Sequence, residues 1–424
     1  MSKTDAFERE LACGCTRIVL PSVPPTLERH SARCPEAQIR RYMAPHPFNV
    51  NKERMDNAFG KTLSWFKSKF SPVRVYHPLD VLDTLSKPTS PGEYFKQKGY
   101  ATKRDVISDQ RGIDLLRTGI SYMKRGITKA DRYRTLVVVT DASSEIGNPS
   151  NVKSRVAWVY PLIISAVENM FYNGFNIQLP DDWVPNPTTH HKRYCGKKSK
   201  SMDFSKFDSS IHAKLIDMAF SIISSLIMFD GYYVGSDGET YGTYKIKEIE
   251  RLWSFIQYYF VYTPFYTQAN PNTRRKHHGV PSGSMFTNLI DTIISRIVTI
   301  YMHDGCDVTT YGDDVHVAQC KCNEDRLVCE AASMGLKVKI EPPNKHGCLT
   351  YCKTECHLGH PFHPGIWFSN VLNKARTKYM KMVVECLMHM QPTHDQLAWL
   401  QKKYKSLRSI PYRVHARLKL WLDK

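Results

Sequence analysis

Acidic residues are scarce in this chain relative to basic ones. Forty Asp and Glu face 59 Lys and Arg, for a formal net charge of +19 and a pI near 9.3. That excess favours a polyanionic partner, nucleic acid first and an anionic membrane surface second. Long apolar runs are missing too. The most apolar stretches, Ala219 to Phe229 and Leu289 to Met302, are too short or too interrupted by polar residues to span a bilayer. The opening Met1 to Glu10 is charged and lacks the apolar core of a signal peptide. No membrane span is expected, and the 12 Cys are expected to stay reduced in a cytosolic compartment. Clustered cysteines then read as metal ligands or buried thiols rather than disulfides. Internal repeats and low-complexity blocks are absent. A hydrophobic share of 42% and a charged share of 23% exclude a disordered tail, a collagen and a coiled coil. The length of 424 residues suggests two to three lobes.

What is present is unevenly distributed. Residues 1–50 are Pro-rich and irregular, with a Cys/His cluster, and residues 51–180 mix helical and extended patterns. Residues 185–202 read as a basic loop, and 203–360 alternate strands and helices. Residues 371–424 read as helices carrying 12 Lys or Arg against Glu385, Asp395 and Asp423. Tyr379, Trp399, Tyr404, Tyr412 and Trp421 lie among them. Such a surface suits a nucleic-acid backbone and base stacking, although helical aromatics are more often core.

The sharpest signal is Thr309-Thr-Tyr-Gly-Asp-Asp-Val-His-Val317. Its flanks are β-branched and aromatic, and Gly312-Asp313 is a two-residue hairpin turn signal. The hairpin would expose Asp313 and Asp314 at its tip, where adjacent carboxylates repel and call for a cation. Taken alone, the segment also reads as a solvated Asp-Asp turn. A second acidic segment, Ser201-Met-Asp-Phe-Ser-Lys-Phe-Asp208, starts extended and runs into helical periodicity, with Asp208 or Ser209 as the expected N-cap. If that strand pairs beside the hairpin, Asp203 and Asp313 converge at one sheet edge. Hard oxygen ligands of that kind suit Mg²⁺ and in-line displacement at phosphorus. Between the two segments, a Pro281-Ser-Gly-Ser284 loop feeds an amphipathic helix. Gly283 there allows close backbone approach, and free amides at the helix start can face a phosphate or a ribose. Thr287 and Asp291, four apart, share a helical face. An ordinary loop–helix junction is the plainer alternative.

Asp203-x4-Asp208, then Gly279-Val-Pro-Ser-Gly-Ser-Met-Phe-Thr287, then Tyr311-Gly-Asp-Asp314 resemble, in that order, palm motifs A, B and C of viral RNA-dependent RNA polymerases. The wording of the second segment looks most like partitivirus-type polymerases of double-stranded RNA viruses. Val152-Lys-Ser-Arg-Val-Ala-Trp-Val-Tyr-Pro161 resembles motif F, which implies that Lys153 and Arg155 hold the incoming triphosphate. Thr89-Ser-Pro-Gly92 resembles motif G near the template entrance. Met334 to Lys345 resembles motif D, with Lys345 in the place of the general acid, and Cys356-His-Leu-Gly-His360 resembles motif E. Where many positive-strand relatives have Asn, nine residues past the motif B Ser282, this chain has Asp291.

The resemblance implies an α+β right-hand polymerase whose palm is an antiparallel sheet backed by helices. It divides the chain into an N-terminal arm (1–50), fingers (51–200 with an insertion at 231–275), palm (201–230 and 276–360) and thumb (361–424). It implies Asp203, Asp313 and Asp314 as ligands of Mg²⁺ or Mn²⁺, Asp203 and Asp313 being essential and Asp314 assisting. Asp208, Ser282, Gly283, Thr287 and Asp291 would surround the nucleotide, with Asp208 accepting from a ribose hydroxyl. RNA template and product, NTPs and a viral capsid protein are the implied partners. Host cytoplasm and virion interior are the implied locations. A reverse transcriptase shares the palm and an Asp-Asp hairpin, but Gly312 and the Pro-Ser-Gly-Ser loop with Thr287 speak against it. An RNA-packaging protein that kept the fold and lost catalysis need not retain these carboxylates.

Other clusters stand apart from those motifs. Cys13, Cys15, His30 and Cys34 give two ligand pairs with the spacing of small zinc modules, or a coincidence in a Cys-rich chain. His346, Cys348, Cys352, Cys356 and His357 form a second grouping that is either a zinc site or a hairpin of buried thiols. Cys320 and Cys322 are expected only to pack, and His190-His191 to sit in a solvated loop.

Overall fold

The computed structural model describes residues 29–30, 35–85, 88–127, 134–141, 145–146, 156–180, 183, 199–318, 320–341, 350–351, 354–355 and 360–361. The helices and strands that position the site are α1 (Pro35–Arg41), α2 (Lys52–Lys69), α3 (Gln110–Lys124), β1 (Val137–Asp141), β2 (Val156–Val159), α4 (Leu162–Asn176) and β3 (Ser199–Phe204). They continue with α5 (Ala213–Ser224), α6 (Ile246–Val261), β4 (Pro264–Thr267), β5 (Arg274–Arg275), α7 (Thr287–Met302), β6 (Asp307–Tyr311), β7 (Asp314–Ala318), α8 (Glu324–Ser333) and β8 (Val338–Glu341).

Two four-stranded sheets organise these elements. The first runs β6-β7-β3-β8 and is antiparallel throughout. Val308, Val315, Val317, Met202, Phe204 and Val338 are among its buried members. The second runs β5-β4-β1-β2, with β4 parallel to β1 and the other pairs antiparallel. It joins strands from residues 137–159 to strands from 264–275, far apart in sequence. The basic stretch read as a loop to residue 202 is already strand from Ser199.

Helix α7 is the axis of the molecule. It packs on α2, α5, α8 and the β6–β7 hairpin. Nine of its residues, including Ile290, Thr292, Ile293, Ile294, Ile297 and Val298, are β-branched, a composition that by itself favours strand. Burial decides otherwise. Thirteen of its 16 residues are buried, so the helix is not amphipathic as its sequence suggested. Two of its buried hydroxyls are satisfied within the helix: Thr292 Oγ1 donates to the Asn288 carbonyl at 2.7 Å and Thr299 Oγ1 to the Ser295 carbonyl at 2.6 Å. Helix α2 starts at Asn51, whose side chain accepts from the Arg54 amide. Arg54 then reaches Glu330 of α8 with both terminal nitrogens at 2.9 Å, which ties α2 across α7. No helix among the described residues is long and apolar enough to cross a membrane.

Candidate active site

The turn between β6 and β7 follows from its residues. Tyr311 pairs with Asp314, which leaves Gly312 and Asp313 as a two-residue loop. Gly312 takes φ +58° and Asp313 does not take a positive φ, the pattern of a II′ turn with Gly first. Helix α7 clamps the turn. The Gly312 amide donates to Thr292 Oγ1 at 2.9 Å, and Ser295 Oγ donates to the Gly312 carbonyl. The hairpin tip is thus held by protein, while Asp313 is exposed and Asp314 half-buried.

Strand β3 pairs beside the hairpin and sets Asp203 opposite Asp314, with Asp313 one residue beyond in the turn. Directly opposed residues of an antiparallel pair share a face, their β-carbons about 4.5–5.5 Å apart. β3 is an inner strand, so the acids meet at one end of the sheet rather than along its edge. On its other side Asp203 faces Lys339 of β8, a cation that sequence reading passed over.

Asp208 lies in the short helical turn Phe207–Ser210 rather than capping the long helix. The cap of α5 is His212, whose Nδ1 accepts from the Lys214 amide at 3.1 Å. The expected cap at Asp208 or Ser209 fails because Lys206 adopts φ +58° and turns the chain first; Ser209 and Ser210 hydroxyls close that turn by donating to the Lys206 carbonyl. The Asp208 carbonyl accepts from the Val280 amide at 2.7 Å, which docks the loop before α7 onto this turn. Gly279, at φ +80°, is required there: a β-carbon would lie 2.7 Å from the Asp208 carbonyl and 2.6 Å from the Tyr42 ring.

Asp291 is 5% exposed, and its Oδ1 finds no hydrogen-bond partner among the described residues. Burial, reinforced by the charges of Asp208 and Asp313, holds its carboxyl far above the usual range. The fold thus favours its protonated form. Tyr42, absent from the sequence reading, is buried against the same group; burial and then Asp208 raise its hydroxyl above the ordinary value.

The 281–287 loop differs from expectation in two ways. First, the amides from Ser284 to Thr287 are already engaged within the protein. Met285 N–H donates to Glu168 Oε2 at 2.9 Å and Phe286 N–H to Ser284 Oγ at 3.1 Å. Second, the close approach at Gly283 is to protein: a β-carbon would fall 1.7 Å from the Trp158 carbonyl of β2. Ser282 Oγ lies beside the same strand, 3.5 Å from the Trp158 amide and 3.4 Å from the Val156 carbonyl. Thr287 Oγ1 donates to the Pro281 and Ser284 carbonyls at 2.8 and 2.9 Å, so it ties the loop to itself. The loop's anchor is Glu168, fully buried on α4, which accepts from Ser284 Oγ at 2.7 Å. Burial pushes its carboxyl up to about 8, against the hydrogen bonds from Ser284 and Met285.

Upstream, the Thr89–Gly92 segment abuts this region. The Pro91 carbonyl accepts from Leu162, and a β-carbon at Gly92 (φ +91°) would meet Pro161 at 2.8 Å. Lys153, Arg155 and Lys345 lie outside the described residues, as do the side chains of Cys13, Cys15, His30 and Cys34. So do His346, Cys348, Cys352, Cys356, His357, His190, His191 and residues 362–424. Cys320 and Cys322 do more than pack: with His303 and Cys306 they form a group whose ligand atoms all lie within 4.8 Å of one another.

A family model described as viral RNA-dependent RNA polymerase matches residues 37–362. A curated relative, the RNA-directed RNA polymerase of Cryptosporidium parvum virus 1 (strain KSU-1), is 24% identical over 270 residues, 60% of this chain and 46% of the relative. The chain thus spans about half the length of that relative. Among solved structures, an insertion-loop deletion mutant of the RNA-dependent RNA polymerase of a human picobirnavirus matches with a TM-score of 0.59 at 15% identity, over 92% of this chain and 77% of that one. At that identity the match speaks for the right-hand fold alone.

Proposed function

The chain belongs to the viral RNA-dependent RNA polymerase family, and we propose that it extends an RNA strand on an RNA template, replicating and transcribing a viral genome. The observation that carries the reading is the register that opposes Asp203 to Asp314 beside the Asp313 turn. The donor set at that end of the sheet is oxygen only, from two exposed carboxylates and the half-buried Asp314, and it fits a hard divalent cation. Asp203, Asp313 and Asp314 would hold Mg²⁺ or Mn²⁺, which when bound supplies an activated 3′-hydroxyl and charge neutralisation on the transferring phosphate.

The chain's own residues then select and hold the nucleotide. Asp208 accepts from a ribose hydroxyl, which both donates and accepts hydrogen bonds. Asp291 stands close, and burial favours its protonated form, which lessens repulsion and can donate where a carboxylate cannot. Ser282 is exposed at the loop surface and orients the sugar. Gly283 and Thr287 act one step back, by fixing the loop against β2 and against itself. Lys153 and Arg155 neutralise the triphosphate, and Lys345 protonates the departing pyrophosphate.

On the same reading, fingers comprise residues 51–200 and 231–275, palm 201–230 and 276–360, thumb 361–424, and an arm 1–50. The second sheet supports a single fingers unit, since strands from both segments build it. A double-stranded RNA virus, a capsid partner, and residence in host cytoplasm and virion complete the proposal. Primer extension on an RNA template tests it: rNTPs are expected to be incorporated over dNTPs, with affinity for RNA falling steeply with salt as counterions are released. Preferential use of dNTPs would point to a reverse transcriptase, and RNA binding without any extension to a packaging protein.

A further inference from the structure

Behind the hairpin, at the end away from the carboxylates, the chain assembles a second donor set. His303 is the C-cap of α7, and its amide still donates to Thr299 at 2.8 Å. Gly305, at φ +83°, lets the chain turn, and the Cys306 amide closes the turn on the His303 carbonyl at 3.2 Å. β6 starts at the next residue, Asp307, which pairs with Ala318, the last residue of β7; Cys320 and Cys322 follow. The two pairs, His-x2-Cys and Cys-x-Cys, are thus brought together by the register of the hairpin itself.

The geometry is that of a closed ligand set. One imidazole nitrogen and three sulfurs lie within 4.8 Å of one another. A zinc ion bound tetrahedrally with Zn–S near 2.3 Å needs separations of about 3.8 Å, an adjustment of about 1 Å. His303 Nδ1 is 3.0 Å from Cys320 Sγ, and the Cys322 amide donates to the same sulfur at 3.4 Å. The other ring nitrogen, Nε2, is 3.4 Å from Met202 Sδ on β3. His303 and Cys320 are buried, Cys306 and Cys322 partly so, and none of the three cysteines is in a disulfide. Three thiolates and a neutral imidazole around a divalent ion leave one negative charge. Lys200 and Arg326 lie nearby, Lys200 Nζ donating to the Cys322 carbonyl at 3.0 Å, although each also pairs with a carboxylate, Glu324 and Glu330.

We propose that His303, Cys306, Cys320 and Cys322 bind one structural Zn²⁺ that clips the base of the β6–β7 hairpin to the end of α7. Four protein ligands leave no open position for substrate, so the ion braces and does not react. The zinc itself is independent of the polymerase reading; only its bearing on catalysis, through the hairpin that carries Asp313 and Asp314, rests on it.

Full-length protein prepared without chelators gives the test. Site-resolved alkylation with iodoacetamide, mapped by mass spectrometry, should find Cys306 and Cys322 protected, and a zinc-selective chelator should expose them. Cys329, exposed and outside the cluster, should react alike in both states. Total zinc should fall by about one equivalent in Cys320→Ser and in Cys322→Ser but not in Cys329→Ser. Reading this difference removes any zinc held elsewhere in the chain, and the alkylation arm needs no variant to fold. Equal reactivity of Cys306 and Cys322 with and without chelator, a disulfide among the three cysteines, or unchanged zinc in a folded Cys322→Ser protein would each overturn the proposal. Primer extension that persists while the alkylation result fails would remove the zinc and leave the polymerase standing.

Discussion

The two ends of the β6–β7 hairpin differ in every chemical respect. The tip presents Asp313 and Asp314, joined by Asp203 of β3, three carboxylates of which Asp203 and Asp313 are exposed and Asp314 half-buried. The base presents three sulfurs and an imidazole, with His303 and Cys320 buried. Five residues of strand separate them, about 14–17 Å at a rise of about 3.4 Å per residue. Between them Val308, Val315 and Val317 are buried in the core. The contrast shows how a protein can expose a repulsive group of acids: it clamps their turn from α7 through Thr292 and Ser295, and the proposed zinc would fix the strands at the opposite end. Hard donors lie toward solvent, and the soft donors are partly or fully withdrawn from it.

The largest effect that separates the two ends should come from the tip. Asp203→Ala should cut nucleotide addition by about 10³-fold or more, as expected when a metal-bearing carboxylate is lost, with little change in melting temperature because the residue is exposed. Steady-state incorporation and thermal melting measured together check this. A large fall in melting temperature would make the tip structural and dissolve the contrast.

Glu168 sharpens the comparison from the buried side. Its carboxyl is raised to about 8 in the fold from an ordinary value near 4.5, so the fold prefers the protonated form. The associated stability is complete below about 4.5 and is lost as pH rises to about 8. Glu168→Gln should therefore flatten the melting temperature against pH across that window, removing on the order of a few kcal/mol of dependence. A profile parallel to wild type would contradict the assignment.

Gly283→Ala should follow, at about 1–3 kcal/mol of destabilisation, since the new methyl meets backbone that cannot swing aside. Denaturant unfolding reads it, and an unchanged midpoint would mean that the loop is looser than its contacts with Trp158 indicate. The smallest effect belongs to Asp208. Asp208→Ala should lower the ratio of rNTP to dNTP efficiency severalfold while leaving the melting temperature near wild type, because His212 and not Asp208 caps α5. A constant ratio in the folded variant would remove Asp208 from the sugar site.

The tip was legible in the sequence because its signals are local. Gly312-Asp313 between β-branched flanks specifies a two-residue turn, and Ser201 to Phe204 carries its own extended pattern. The base was illegible for the opposite reason. Cys306 and Cys320 are 14 positions apart, and only the Asp307–Ala318 pairing brings them together. Once the hairpin was expected, its two open ends had to meet, and that was the unread signal. Glu168 and Tyr42 gave no local sign at all: each acts on the 279–285 loop from more than 100 residues away. The misplaced cap at Asp208 reflects Lys206, a non-glycine residue at positive φ that propensity does not anticipate. The amides before α7 were read as free because the acceptor that occupies one of them, Glu168, lies on another helix.

Single-nucleotide incorporation on an RNA primer–template, by wild type and by Asp313→Ala with RNA binding followed in parallel, tests the central claim most directly. Wild type should add the rNMP complementary to the template base in Mg²⁺ or Mn²⁺, and Asp313→Ala should bind the same RNA with similar affinity yet add none. Extension by Asp313→Ala at the wild-type rate would contradict the account.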